Sequence, residues 1–169
     1  VGVNNGSAKF RFDKLLGRSW SSYLSANYDY NALNKIGTNS VISSVGIGYK
    51  LISTPTNQLR FSLGPSFEWA GGGSECNSSE RCDEINPGAI LGAKYNWMIN
   101  KNLELIFENN FGSRFISDIS TSNTLETAIK YYPSTKSRFY TSLSYENQYD
   151  VIKEPGNEHF YKVKIGTEF

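Results

Sequence analysis

The sequence predicts an all-β fold, one antiparallel up-and-down β-barrel over residues 1–169, and three observations predict it. Apolar residues recur at every second position in nearly every segment, and no segment sustains the spacing of three or four that a helix needs. Turn-forming residues separate the alternating runs, and the connectors alternate between short and long. The composition is rich in Tyr, Phe and Gly, at 11, 10 and 15 residues, which suits strands with close backbone approaches between them.

AKFRF, the weakest run, rests on Phe10 and Phe12. WSSYLSANYDY places Trp20, Leu24, Ala26, Tyr28 and Tyr30 on one face, and VISSVGIGYKL does the same with Val41, Val45, Ile47, Tyr49 and Leu51. In LRFSLGPSFEW, the apolar row Leu59, Phe61, Leu63, Pro65, Phe67 and Trp69 opposes Arg60, Ser62, Gly64, Ser66 and Glu68. AILGAKYNW carries Ala89, Leu91, Ala93, Tyr95 and Trp97; LELIFENNF carries Leu103, Leu105, Phe107 and Phe111. LETAIKYY adds Leu125, Ile129 and Tyr131, and FYTSLSYENQY adds Phe139, Leu143, Tyr145 and Tyr149. The closing run, FYKVKIGTEF, sets Tyr161, Val163, Ile165, Thr167 and Phe169 against Lys162, Lys164, Gly166 and Glu168.

An odd number of runs sits awkwardly with bacterial single-chain membrane barrels, whose strand number is even. The expectation is therefore about ten strands, with VGVNNG ending a preceding strand and N-terminal strand(s) missing; about eight or twelve are the alternatives. LLGRS, STPTNQ, NKN and PSTKS are read as short turns, and NALNKIGTN, GGGSECNSSERCDEIN, FISDISTSN and VIKEPGNEH as long loops.

No window approaches the roughly 18 consecutive apolar residues of a membrane helix, which excludes a helical membrane protein. It leaves open spanning strands, which need only about 9–11 residues with alternate ones apolar. Alternation alone does not say whether the apolar face points inward, as in a soluble barrel, or outward into lipid. The opposite faces carry Arg60, Lys94, Lys130, Lys162 and Lys164 together with Glu68, Glu104, Glu108, Glu126 and Glu146, interleaved with glycines. Balanced charge of this kind is expected to pair across a narrow lumen. Tyr and Trp concentrate near the ends of the apolar rows, Trp20, Tyr28, Trp97 and Tyr161 among them, as in the aromatic girdles of membrane barrels. The chain ends on Phe169, and Phe169, Ile165, Val163 and Tyr161 resemble the C-terminal assembly signal of bacterial outer-membrane barrels, with Thr167 a mild departure. That resemblance implies a periplasmic C-terminus, with the short turns periplasmic and the long loops extracellular.

VGIGYKLI, LRFSLGPSFEW and LSYENQYDVIKEPGNEHFYKVKIGTEF resemble the YdiY-like family of salt- or acid-induced outer-membrane proteins. The shared features are a GxGY step before a short turn, a Leu-Gly-Pro in the next strand, and a closing Tyr-Asp, Pro-Gly, strand-to-Phe arrangement. The likeness covers roughly residues 8–169 by strand order. It implies fold and location, and it carries no biochemical activity with it.

Seventeen basic and sixteen acidic side chains leave a formal charge of +1, without the basic stripe of a nucleic-acid-binding protein. The two cysteines, Cys76 and Cys82, lie in a polar, Gly-rich stretch. Their spacing suits a small disulfide loop, which would stabilise by on the order of 2 kcal/mol and imply an oxidising compartment. The alternative is a metal pair helped by Glu75, Glu80 or Asp83, against which stands the usual preference of structural zinc for four Cys/His ligands.

Catalytic chemistry is sparsely provided for. His159 is the sole histidine; a hydrolase would combine it with Ser144 and Glu146, a rim protease with Asp150, Glu154 and Glu158, and neither pattern is specific. Glu104 and Glu108 share a strand face at about 13 Å, too far apart for a retaining glycosidase pair. GGG at 71–73 and GIG at 46–48 match no phosphate-binding pattern, and the Asn77-Ser78-Ser79 sequon has no force in a bacterial chain.

The expectation is thus a single transmembrane β-barrel of a Gram-negative outer membrane, not an enzyme, with no cofactor or metal. Its role is structural, envelope-adaptive or in envelope assembly, without a wide pore. The expected partners are the lipid bilayer, the outer-membrane assembly machinery and another envelope protein, with no nucleic acid. The alternatives are a soluble secreted lipocalin-like barrel holding an apolar ligand, and a narrow channel.

Overall fold

In the computed structural model, residues 5–35, 37–76, 82–115, 119–133, 139–150 and 157–167 are described. They contain nine strands in one antiparallel sheet that follows chain order. These are β1 (Asn5–Leu15), β2 (Trp20–Asn31), β3 (Asn39–Ser53), β4 (Asn57–Gly71), β5 (Ile85–Asn100), β6 (Leu103–Phe115), β7 (Ile119–Tyr131), β8 (Phe139–Asp150) and β9 (Asn157–Thr167). Every alternating run is a strand, including AKFRF, which lies within the 11-residue β1.

The register keeps like faces together. Phe10 and Phe12 of β1 pair with Ala26 and Leu24 of β2, and Leu143 and Tyr145 of β8 pair with Val163 and Tyr161 of β9. Since a slip of one residue would exchange the two faces, this pairing places the apolar rows of β1 and β2 on one side, and likewise those of β8 and β9.

Two expectations need correction. Asn5 and Gly6 of VGVNNG belong to β1, opposite Asn31 and Tyr30, and not to a loop after a preceding strand. FISDISTSN is not a long loop: β7 begins at Ile119, and Ser122 and Asn123 already pair with Asp150 and Tyr149 of β8. The β6–β7 connection is confined to residues 116–118, while β7 and β8 are joined by residues 132–138. The Ser, Thr and Asn content of the segment disguises a strand whose end lies beyond the apolar row, where neither face needs hydrophobic side chains.

The tight turns are closed by side-chain hydrogen bonds. The Asn57 amide donates to Thr54 Oγ1 at 2.9 Å between β3 and β4, and the Asn102 amide donates to Asn100 Oδ1 at 2.9 Å between β5 and β6. The loop after β2 is fastened to the loop after β4: the Gly37 and Thr38 amides both donate to the Gly72 carbonyl, at 2.8 and 3.1 Å. Gly37, Gly72 and Gly73 have φ of 68°, 77° and 107°, so glycine is required there. In the same region Cys76 and Cys82 form a disulfide with a Cα–Cα distance of 5.3 Å, and Glu75 pairs with Lys35 at 3.1 Å. The sulfurs bind each other, so the metal-pair reading with Glu75, Glu80 and Asp83 is set aside; Glu80 and the 77–79 sequon lie outside the described residues.

The chain divides into two compact units, one of Val1–Gly48, Leu63–Ile90 and Ser113–Ile119, the other of Tyr49–Ser62, Leu91–Gly112 and Ser120–Phe169. In the first unit the Tyr23 ring lies over Gly46, where an added Cβ would come 2.8 Å from the ring and 2.8 Å from the Gly64 Cα. In the second, the Tyr140 ring lies over Gly166 in the same way, its hydroxyl 2.7 Å from such a Cβ. An inward tyrosine therefore fills the dent left by a glycine on the next strand. Replacing Gly46 with Ala is expected to cost about 1–3 kcal/mol in a denaturant titration of the purified protein. Gly17→Ala, whose added Cβ meets nothing, serves as the near-neutral control.

Candidate functional site

The most distinctive chemistry lies on the face of the sheet that carries charge, because that face is the buried one. Glu146 is 1% exposed, and Ser21, Ser44, Glu104, Arg114, Ser142 and Ser144 are also buried. On the other face, Leu63 is 54% exposed, and Val163 and Ile165 are 73% exposed. A soluble protein sorts its side chains in the opposite sense. The soluble lipocalin-like alternative needs the apolar face sheltered and draws no support from this arrangement.

In the second unit, strand register creates an electrostatic conflict and then resolves it. Glu126 of β7 stands directly opposite Glu146 of β8, an unfavourable pairing by itself. Two lysines of β9 neutralise it: Lys162 pairs with Glu146, and Lys164 reaches Glu126 at 3.3 Å. The second contact crosses β8 entirely, a span of about 10 Å between non-adjacent strands. Lys162 and Lys164 stand opposite Ser144 and Ser142, and only such small residues leave room for long side chains to lie across the strand. Both serines are buried, whereas Lys164 itself remains half exposed. Gln148 also donates to Glu146, so the buried carboxylate has neutral and cationic donors.

Glu104 is satisfied differently. Its Oε1 accepts from Asn96 Nδ2 at 2.8 Å, and its Oε2 accepts from the Tyr132 hydroxyl at 2.9 Å. Lys130 Nζ lies 4.0 Å from the same Oε2 and 4.6 Å from the centroid of the Tyr140 ring. Nearby, Lys94 and Glu108 pair at 3.0 Å, and the wall is thinned by Gly92, where a Cβ would lie 2.8 Å from Asn110 Oδ1.

In the first unit the central contact is Glu68 of β4 with Arg114 of β6, two-pronged, with the Arg114 Nη2 to Glu68 Oε1 arm at 3.1 Å. It too crosses a strand, β5, where Gly88 is buried and its hypothetical Cβ would lie 3.3 Å from the Arg114 Cα. Arg11 stacks 4.5 Å above the Tyr23 ring, and Ser25 and Ser44 share a 2.7 Å hydrogen bond.

The structure thus brings Glu68, Lys94, Glu104, Glu108, Glu126, Lys130, Glu146, Lys162 and Lys164 into ion pairs, and it places Arg60 on the same face of β4. Arg114, Tyr23, Tyr132 and Tyr140 were not foreseen among them. Arg114 follows Glu104, Glu108 and Gly112 at even steps, and extending the β6 alternation past Phe111 reveals it. The tyrosines read as apolar in sequence although they occupy polar-face positions.

His159 does not meet the partners a hydrolase would need. It faces outward, opposite Asn147, whereas Ser144 and Glu146 of β8 lie on the buried face. Glu104 and Glu108 are each held by their own lysine, at 4.0 and 3.0 Å. Glu154, part of the rim-protease pattern, lies outside the described residues. Of the C-terminal signal, Tyr161, Val163 and Ile165 line the outward face of β9, and Phe169 lies outside the described residues.

Removing one partner of the Glu68–Arg114 pair takes the two-pronged opposite charge away from a group that is mostly buried. Arg114→Ala is expected to destabilise the folded protein by about 3–5 kcal/mol. The Glu68→Ala, Arg114→Ala double variant should lose less than the sum of the single ones in denaturant titrations.

The sequence model of the family described as "Protein of unknown function, DUF481" matches residues 1–163. No curated protein and no solved structure matches the chain.

Proposed function

We propose that this chain, which belongs to the DUF481 family, is the membrane-spanning β-barrel of a Gram-negative outer-membrane protein. Its role in this reading is structural, envelope-adaptive or in envelope assembly. The observation that carries the proposal is the inverted burial: outward rows of Leu, Val, Ile and Phe are exposed while Glu146, Glu104 and Arg114 are enclosed. Exposed apolar area on this scale is stable against acyl chains and not against water.

The dimensions agree. At about 3.4 Å per residue and a tilt of about 45°, the outward row from Leu59 to Trp69 covers about 25 Å of height, the apolar thickness of an outer-membrane barrel. Trp20, Tyr28, Trp97 and Tyr131 stand exposed near row ends, where amphipathic rings favour the headgroup level. Tyr161, Val163 and Ile165 recur at two-residue steps on the outward face of β9, the spacing that the outer-membrane assembly machinery would read. The bilayer and that machinery are the partners this reading requires, with another envelope protein as the partner through which a role would be exercised.

Ion pairs that cross whole strands occupy the space a solute would need, so the interior is read as closed to wide passage. The enclosed carboxylates are committed to lysine and arginine, and His159 faces away from them, which favours a non-enzymatic role.

A charge placed on the outward face separates a membrane barrel from a soluble one. Leu63→Lys is expected to lower stability by about 2–4 kcal/mol when the protein is refolded into lipid vesicles, against about 0–1 kcal/mol for Leu16→Lys beside the β1–β2 turn. Tolerance of Leu63→Lys together with detergent-free monodispersity of the parent protein would overturn the reading. In planar bilayers the protein is expected to give no steady large-amplitude channels.

A further inference from the structure

The outward row of β8 and β9 changes chemistry along its length. Leu143 stands opposite Val163, Tyr145 opposite Tyr161, Asn147 opposite His159, and Tyr149 opposite Asn157. Within a few residues the row passes from aliphatic to aromatic to amide and imidazole, and Tyr161 at the boundary is 79% exposed. Polar groups facing outward beside an apolar strip are not needed to fold the sheet.

Their hydrogen bonds fix what they present. Asn147 Nδ2 donates to Asn157 Oδ1 at 2.6 Å and lies 3.1 Å from His159 Nδ1, while the Tyr145 hydroxyl lies 2.8 Å from that same nitrogen. An amide NH2 has only hydrogens to offer, so the tautomer in which Asn147 bonds the ring is the one with Nδ1 as acceptor and the imidazole proton on Nε2. The Tyr145 and His159 rings stack, with centroids 6.0 Å apart, and hold the imidazole in place. Asn157 spends its carbonyl on Asn147 and retains its own NH2 as a donor. Both residues are exposed, so in that tautomer the cluster holds two hydrogen-bond donors, His159 Nε2–H and Asn157 Nδ2–H, at the end of an aliphatic strip.

We propose that this cluster is a binding site for the phosphate-bearing headgroup of a membrane lipid, whose acyl chain lies along Leu143, Val163 and Ile165. The inference rests on the membrane reading above, and it is amphipathic complementarity that selects a lipid: donors for phosphate oxygens at one end, an exposed aliphatic strip at the other. A free anion would use the first and leave the second bare.

His159 is the only histidine, so its imidazole nitrogens give a single pair of NMR signals. The protein in dodecyl-maltoside micelles, labelled with 15N-histidine, would be titrated with phosphatidylglycerol, with diacylglycerol of the same chains, and with glycerol 3-phosphate. The expected result is an Nε2-protonated tautomer whose Nε2 signal moves with phosphatidylglycerol and stays in place with diacylglycerol. Glycerol 3-phosphate should require at least roughly tenfold higher concentration, and His159→Ala and Asn157→Ala should each weaken phosphatidylglycerol binding by roughly tenfold in native mass spectrometry. Both residues are exposed and outside the ion-pair network, so the variants should retain heat-modifiable gel migration. An Nδ1-protonated tautomer, equal responses to phosphatidylglycerol and diacylglycerol, or unchanged binding by both variants would overturn the site while leaving the membrane reading intact. Detergent-free monodispersity of the parent protein would overturn the membrane reading, and the site with it.

Discussion

Enclosing charge on one face of a sheet is the constraint from which the rest of this structure follows. An ionised carboxylate removed from water must find cations and hydrogen-bond donors nearby. Here the suitable partners often lie two strands away rather than one, as Glu68 and Arg114 do, or Glu126 and Lys164. Long side chains cross an intervening strand only where that strand offers little bulk. Gly88 fills that need on β5, and Ser142 and Ser144 fill it on β8. The small residues at these crossings make room for the ion pairs.

The opposite face follows a complementary logic. Once polarity is enclosed, the remaining surface of each strand is aliphatic or aromatic, and its few polar atoms gather near strand ends. Tyr28 donates to Asn39 at 2.7 Å, Tyr95 donates to Asn57 at 2.7 Å, and Asn109 bonds Asn123 at 2.9 Å. These bonds are made between side chains of neighbouring strands.

Much of this architecture was legible from period alone, because a two-residue repeat in LRFSLGPSFEW or FYKVKIGTEF admits only one assignment of faces. Even AKFRF, with two apolar anchors, is a full strand. Which face is enclosed was harder to read, since alternation is symmetric; balanced charge on one face and the placement of aromatics on the other had to be read together, and Glu146 is buried where Val163 is exposed. What escaped were features set by contacts across strands. Arg114 lies beyond the last hydrophobic residue of its run, the tyrosines at 23 and 140 owe their position to glycines on neighbouring strands, and the start of β7 carries Ser, Thr and Asn that resemble a loop. Pairing partners distant in sequence decide each of these, and a linear pattern does not contain them.

The join between the loops after β2 and β4 has a further consequence. Gly37 and Thr38 hang on the Gly72 carbonyl, the Glu75 amide donates to the Lys35 carbonyl at 2.9 Å, and the disulfide closes the outer stretch between Cys76 and Cys82. The strand ends beneath are held from both sides of the bridge, by Gly72 and Glu75 before it and by the Asp83 amide, which donates to the Ala70 carbonyl at 2.8 Å, after it. These fastenings are backbone hydrogen bonds, and neither sulfur takes part in them.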